Sequence, residues 1–211
     1  MEEKGDELIL KSLRNKKAIR VPAQPVQRLM SRKRSQVWVE TIVYTLIALS
    51  LIGLFLTFAK PKIEEIQDKS IIEQSTDILE EINSVIISIV QGGPGNQRVL
   101  EVGIKKGILK IDPARNQISF EIEGKYTYTE PGQDGSAGPY IQIGDILAST
   151  QKRGRTSTVT LLSNYSNIYD IKYKEGGESK SLARAQVPYK LIISYDGENG
   201  NGLPEINFDL Q

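Results

Sequence analysis

Hydrophobic and polar residues follow three different rhythms along this chain. Residues 37–58 form an almost unbroken apolar run with Glu40 as its single charge. About 22 residues suffice to cross a hydrocarbon core of roughly 30 Å as a helix. Beyond the run, Ile63, Ile66, Ile71, Ile78, Ile82, Val85, Ile86 and Ile89 recur mostly at spacings of three and four, with carboxylates between them. That spacing predicts an amphipathic helix that continues the first. A helix over residues 37–90 approaches 80 Å at about 1.5 Å per residue.

From Arg98 onward the period changes to two. Residues 99–104, 108–111, 118–122, 140–143, 156–162, 168–173, 189–195 and 205–210 read as strands, most clearly where Ile118, Phe120 and Ile122 alternate with polar residues. Turn signals separate them: Asp112-Pro113, the Glu130 to Gly135 segment, Lys152-Arg153-Gly154, Glu175-Gly176-Gly177, and the Asp196 to Gly200 segment. Short strands at this spacing with no helix between them predict an antiparallel β-sandwich. The expected class is α+β, a long N-terminal transmembrane and amphipathic helix followed by a sandwich. Its segments are a basic leader over 1–35, largely disordered and cytoplasmic, a transmembrane helix over 36–59, and an amphipathic extension over 60–91. A Gly/Pro linker over 92–97 and the sandwich over 98–211 complete it.

Two punctuation marks refine the helical part. Pro61 falls where the apolar half becomes amphipathic, and a proline inside a helix removes a hydrogen bond, so a hinge or short break is expected there. Gln91-Gly92-Gly93-Pro94-Gly95 then ends the helix, because glycine and proline continue it only at high cost. The apolar stripe after Pro61 has two uses, packing beneath the chain's own sandwich or packing against identical helices, and both fit on different faces.

Charge gives the chain a direction. Lys and Arg outnumber acids over residues 1–35, with Arg32, Lys33 and Arg34 at the edge of the apolar run, while Glu64, Glu65, Asp68, Glu73, Asp77, Glu80 and Glu81 dominate beyond it. Counted in Lys and Arg alone, about four lie just before the run (Arg28, Arg32, Lys33 and Arg34) and three just after it (Lys60, Lys62 and Lys69), and with the basic N-terminal segment added the positive-inside rule places the N-terminus in the cytoplasm and the C-terminal domain outside. A net charge of +1 gives no reason to expect nucleic acid as a partner.

Cysteine and histidine are both absent. Thiol nucleophiles, Cys/His zinc sites and histidine acid-base chemistry are thus unavailable, and no enzyme template, cofactor or metal is expected. The acidic, asparagine-rich Asp196 to Gly202 segment lacks the regular spacing and terminal Glu of a calcium loop and reads as a hairpin turn. Eight tyrosines between Tyr126 and Tyr195 read mainly as fillers of sandwich faces and edges. Asn164-Tyr165-Ser166 is the single Asn-x-Ser/Thr sequon, a candidate N-glycosylation acceptor in an outward domain.

Glu40 is the residue that a plain membrane anchor leaves without a task, since an ionisable group in a span is costly. The stretch Arg32-Lys33-Arg34-Ser35-Gln36, with Glu40 four residues later, resembles the processing site of archaeal type IV prepilins, the class III signal peptide. Arg34, Ser35, Gln36 and Glu40 match that pattern; Trp38 departs from the small or polar residue often found at the third mature position, and Ser35 replaces the more frequent Gly. The resemblance implies cleavage between Ser35 and Gln36 by a prepilin peptidase, a role for Glu40 in processing or assembly, and a pilin-like fold. It also implies a polytopic platform protein and like subunits as partners in a surface filament, with the membrane as anchor before assembly.

Two further alternatives stand. Met30 offers a second start that leaves a six-residue basic leader, so residues 1–29 are either an upstream extension from a misplaced start codon or a genuine cytoplasmic tail. The other functional reading is an uncleaved single-pass protein whose outer sandwich grips the surface layer or another envelope protein, as archaellum accessory proteins do. Trp38 and Tyr44 are then interfacial aromatics.

Overall fold

A computed structural model describes the backbone of residues 30–211 and the side chains from Val37 onward. Residues 1–29 of the expected leader, and the side chains of Arg32, Lys33, Arg34, Ser35 and Gln36 at the expected cleavage position, therefore lie outside what is described. The chain divides into two compact bodies, Met1–Leu54 and Phe55–Gln211.

Helix α1 spans Met30–Gly92 and takes in residues 30–35 of the basic segment. It passes through Pro61 unbroken, so the short break expected there is absent. Gly92 and Gly93 end it as expected, with the Gly93 N–H turning back to the Val90 carbonyl and φ of +90° at Gly93, a value that favours glycine. The apolar run is exposed along its whole length, Trp38 at 72% and Phe55 at 70%. Three of its hydroxyls are satisfied within the helix: Thr41 donates to the Val37 carbonyl, Thr45 to the Thr41 carbonyl and Ser50 to the Leu46 carbonyl. By length and composition α1 is fit to cross a membrane, where every polar group needs an internal partner.

Ten strands follow. They are β1 (Gln97–Val102), β2 (Ile108–Asp112), β3 (Gln117–Gly124), β4 (Ile141–Ile143), β5 (Ile146–Arg153), β6 (Thr156–Asn164), β7 (Asp170–Tyr173), β8 (Lys180–Ala183), β9 (Tyr189–Glu198) and β10 (Pro204–Leu210). They form two sheets, β1-β9-β10-β7 and β4-β5-β6-β3-β2-β8. All described pairings are antiparallel except β10 with β7, where Glu205 to Phe208 run parallel to Asp170 to Tyr173. The fold is α+β, as expected, a long apolar helix followed by an antiparallel-rich two-sheet sandwich that includes this one parallel pair.

The period of two was sound where a strand has one wet face. In β3 Ile118, Phe120 and Ile122 are buried, and in β6 Ser157, Val159, Leu161 and Ser163 are. Two strands escaped the pattern. In β5, Ala148, Ser149 and Thr150 are all buried in succession, because the second face is covered by the 129–138 segment. The Thr129 N–H and hydroxyl both donate to Thr150 Oγ1 (2.9 and 3.0 Å), and the Ser149 hydroxyl donates to the Gly138 carbonyl at 2.7 Å. Strand β8 is a four-residue edge with Leu182 as its one buried side chain, too little for a visible alternation. The expected strand over 168–173 starts later, at Asp170, because Ile168 and Tyr169 donate their N–H groups to the Tyr165 carbonyl in a turn.

The core is shared by helix and sheets. Ile72, Leu79, Ile82, Ile86 and Ile89 of α1 belong to one apolar cluster with Leu109, Phe120 and Leu161 of the larger sheet and Leu191, Ile193 and Phe208 of the smaller. Burying side chains of this size contributes about 1.5–3 kcal/mol each relative to leaving them in water. The amphipathic part of α1 thus packs beneath its own sandwich, as one of the two expected uses of the stripe required.

Candidate functional site

The buried positions of α1 are Asp68, Ile72, Ser75, Leu79, Ile82, Ile86 and Ile89, separated alternately by four and three residues. That spacing keeps one seam facing a partner over several turns. Ile71, Ile78 and Val85 flank it half-buried, and Ile63 and Ile66 of the expected stripe are exposed at 53% and 68%. Two seam positions are polar. The Ser75 hydroxyl is satisfied by the Ile71 carbonyl at 2.8 Å, while Asp68 has no partner on its own helix and takes two from the sandwich.

Asp68 is 5% exposed, and its carboxylate accepts from Lys106 Nζ and from the Lys125 backbone N–H, each at 2.5 Å. Lys106 lies between β1 and β2, and Lys125 follows the end of β3, so one carboxylate ties two loops to the helix. A charge this dry needs such partners, because burial of an unpaired carboxylate is prohibitive. Gly124 is part of the same fitting: a Cβ there would lie 2.6 Å from Asp68 Cγ. Further along α1, Asn83 Nδ2 donates to Asp145 Oδ2 in the β4–β5 turn at 3.1 Å. The segment after Lys125 also leans on the helix, since burial and the nearby Glu73 carboxylate push the Tyr128 phenol above its ordinary value.

Beside this fitting opens a groove of about 890 Å³, lined by Ile71 and Gln74 of α1, by Lys105 and Lys106, and by Arg184 and Gln186 between β8 and β9. No carboxylate or hydroxyl lines it, so it offers cations and amides without a nucleophile or base. Lys106 is held by Asp68, whereas Lys105 and Arg184 are exposed and make no ion pair among the described residues. Gly107 shapes the floor: with φ of +93° and a Cβ position 2.5 Å from the Glu121 carbonyl, it admits no side chain.

Of the residues singled out from sequence, Glu40 and Pro61 share α1 and Asn164 lies on β6. Glu40 is exposed in α1 and makes no ion pair among the described residues. Pro61 is exposed within α1. Asn164 ends β6, exposed, with its Oδ1 accepting the Ser166 N–H at 3.0 Å, and the Ser166 hydroxyl donates to the Arg115 carbonyl at 3.1 Å. Between them Tyr165 is 4% exposed, so the sequon presents its amide outward while its middle residue anchors the turn. The Asp196 to Gly202 segment forms the β9–β10 turn, closed by Asn199, whose Oδ1 accepts from the Asn201 and Leu203 N–H groups and whose Nδ2 donates to Asp170. Among the described residues no group of three or more acidic side chains is arranged to hold a metal ion.

The sequence reading missed Asp68, Lys106 and the groove. Asp68 looked like one acid among many in an acidic helix. Its register with Ile72, Leu79 and Ile82 was the available signal, because a charge on a core seam requires a partner. No protein-family model, curated protein or solved structure matches this chain.

Proposed function

We propose that this chain is a structural subunit, pilin or minor pilin, of an archaeal type IV pilus-like surface filament, anchored in the membrane before assembly. In this reading a prepilin peptidase cuts between Ser35 and Gln36, the N-terminus is cytoplasmic and the sandwich is outside. A platform protein and like subunits are the partners, and Asn164 is a glycan acceptor. The protein is not an enzyme in this account.

One observation carries the reading: a single unbroken helix supplies both the membrane-length apolar run and the seam of the head's core. A plain anchor only tethers its domain, and a flexible linker does that. A helix built into the core joins the head to the apolar run without such a linker. The run itself, exposed from Val37 to Phe58, needs a cover: lipid before assembly, and the same face of like helices afterwards. Glu40 then has a task. Cleavage frees an α-amino group at Gln36, and a carboxylate of a neighbouring subunit about 4 Å from it gains roughly 4 kcal/mol at an effective dielectric constant near 20.

Substituting Glu40→Gln in the full chain tests this. Membrane insertion is expected to be unchanged while the share of the protein in sheared surface filaments falls about tenfold or more. Unchanged filament yield contradicts the role given to Glu40.

A further inference from the structure

The outer face of α1 and the groove carry opposite, unsatisfied charges. Asp77, Glu80 and Glu81 are exposed on the side of the helix away from the seam and make no ion pair among the described residues. Lys105 and Arg184 in the groove are equally free. Within one chain these charges occupy different patches: the groove meets α1 at Ile71 and Gln74, and the acids centre near residue 79. About seven residues of helix separate them, an offset of about 10 Å at about 1.5 Å per residue.

We propose that the groove of one copy receives the acidic outer face of α1 of a second copy, with Lys105 and Arg184 meeting Asp77, Glu80 and Glu81. The inference rests on the filament reading and names its head-to-helix contact. Two different patches that complement each other make a heterologous interface, which does not close on itself as a two-fold pair does and leaves a free groove and a free acidic face at the ends. Repetition gives an open array, and with parallel helices the contacting copies are displaced by the 10 Å or so that separates the patches. The charges give register and encounter rate, while the apolar runs supply the bulk of the contact.

The test uses two forms of the full chain with different isotope labels, produced together and treated in native membranes and in isolated filaments with a zero-length carbodiimide cross-linker. The expected product joins Lys105 of one labelled form to Asp77, Glu80 or Glu81 of the other. Lys105→Glu with Arg184→Glu is expected to reduce filament yield at least tenfold, as is Asp77→Lys with Glu80→Lys and Glu81→Lys. Uniting both sets in one chain swaps the charges and restores yield to within about threefold, which a folding defect does not do. Wild-type yield from either reversal, no rescue by the swap, or links from Lys105 to an unrelated chain overturns the contact. Inter-copy links in membranes without any filament refute the filament reading and leave the contact standing; filaments without such links do the reverse.

Discussion

Removal of the Asp68 carboxylate is expected to loosen the sandwich from its helix, and the size of the effect follows from the partners. Asp68→Ala leaves Lys106 without its counter-ion and the Lys125 N–H without its acceptor. Breaking a fully buried pair from one side costs about 3–5 kcal/mol. The Lys106 side chain is 39% exposed, so water takes over its ammonium and the ionic part shrinks to about 1 kcal/mol. An unsatisfied amide at Lys125 adds about 1–3 kcal/mol, giving about 2–4 kcal/mol in total. Asp68→Asn keeps an acceptor for that amide and costs about 1 kcal/mol. Gly124→Ala drives a methyl against the Asp68 carboxylate and costs about 1–3 kcal/mol as overpacking. Once Asp68 is alanine the colliding atoms are gone, so the double variant is expected to fall short of additivity by at least about 1 kcal/mol. Urea unfolding of the detergent-solubilised full chain, followed by the β signal in circular dichroism, reads these differences. Trp38, the sole tryptophan, lies in the apolar run, outside the Phe55–Gln211 body that holds the sandwich, so fluorescence does not serve. With a urea slope of about 2 kcal/mol per molar, Asp68→Ala lowers the midpoint by about 1–2 M. Strictly additive costs, or an unchanged midpoint for Asp68→Ala, refute the pairing.

The seam makes a sharper statement about the helix: Ile82→Ala is expected to cost about 2–5 kcal/mol and Ile66→Ala less than about 0.5 kcal/mol in the same unfolding assay. Equal costs contradict the seam, since Ile82 is fully buried and Ile66 is 68% exposed. The Tyr165 hydroxyl is buried beside the Ser163 hydroxyl without a well-formed hydrogen bond between them, so Tyr165→Phe is expected to be neutral or stabilising by up to about 1 kcal/mol. Burial also pushes that phenol above its ordinary 10.0, so the unfolded chain loses the proton first and stability falls as pH rises beyond that value. Thermal melts across alkaline pH are expected to show a shallower fall for the Phe variant; an identical slope sinks the assignment. Gly107→Ala is expected to cost about 2 kcal/mol or more, from positive φ and the collision with Glu121, whereas Gly154→Ala, with φ of +61° and open space, costs about 1 kcal/mol. Equal midpoints for the two variants contradict that reading of Gly107.

The elements that were legible in the sequence are those with one wet face and one dry. The apolar run, the amphipathic continuation, and strands such as β3 and β10 satisfy that condition, and their periods of 3.6 and 2 follow directly. Strand β5 does not, because the 129–138 segment covers its second face, where the Thr129 N–H and hydroxyl and the Gly138 carbonyl satisfy the buried Thr150 and Ser149 hydroxyls. The parallel β10–β7 pair was equally hidden. No local signal distinguishes parallel from antiparallel partners; in the folded chain Lys172 Nζ meets Glu205 Oε2 across the pair, and that hydrogen bond raises the lysine pKa. Asn164 was legible because a sequon is a local pattern. Asp68 was not, because its meaning lies in Lys106 and Lys125, 38 and 57 residues away.

Cleavage between Ser35 and Gln36 is the central claim, and the mature N-terminus tests it most directly. Mass spectrometry of the protein extracted from membranes and from sheared filaments is expected to find a chain beginning at Gln36 in both. A chain that retains Arg32, Lys33, Arg34 and Ser35 in every fraction, with none in filaments, contradicts the account and leaves an uncleaved anchor.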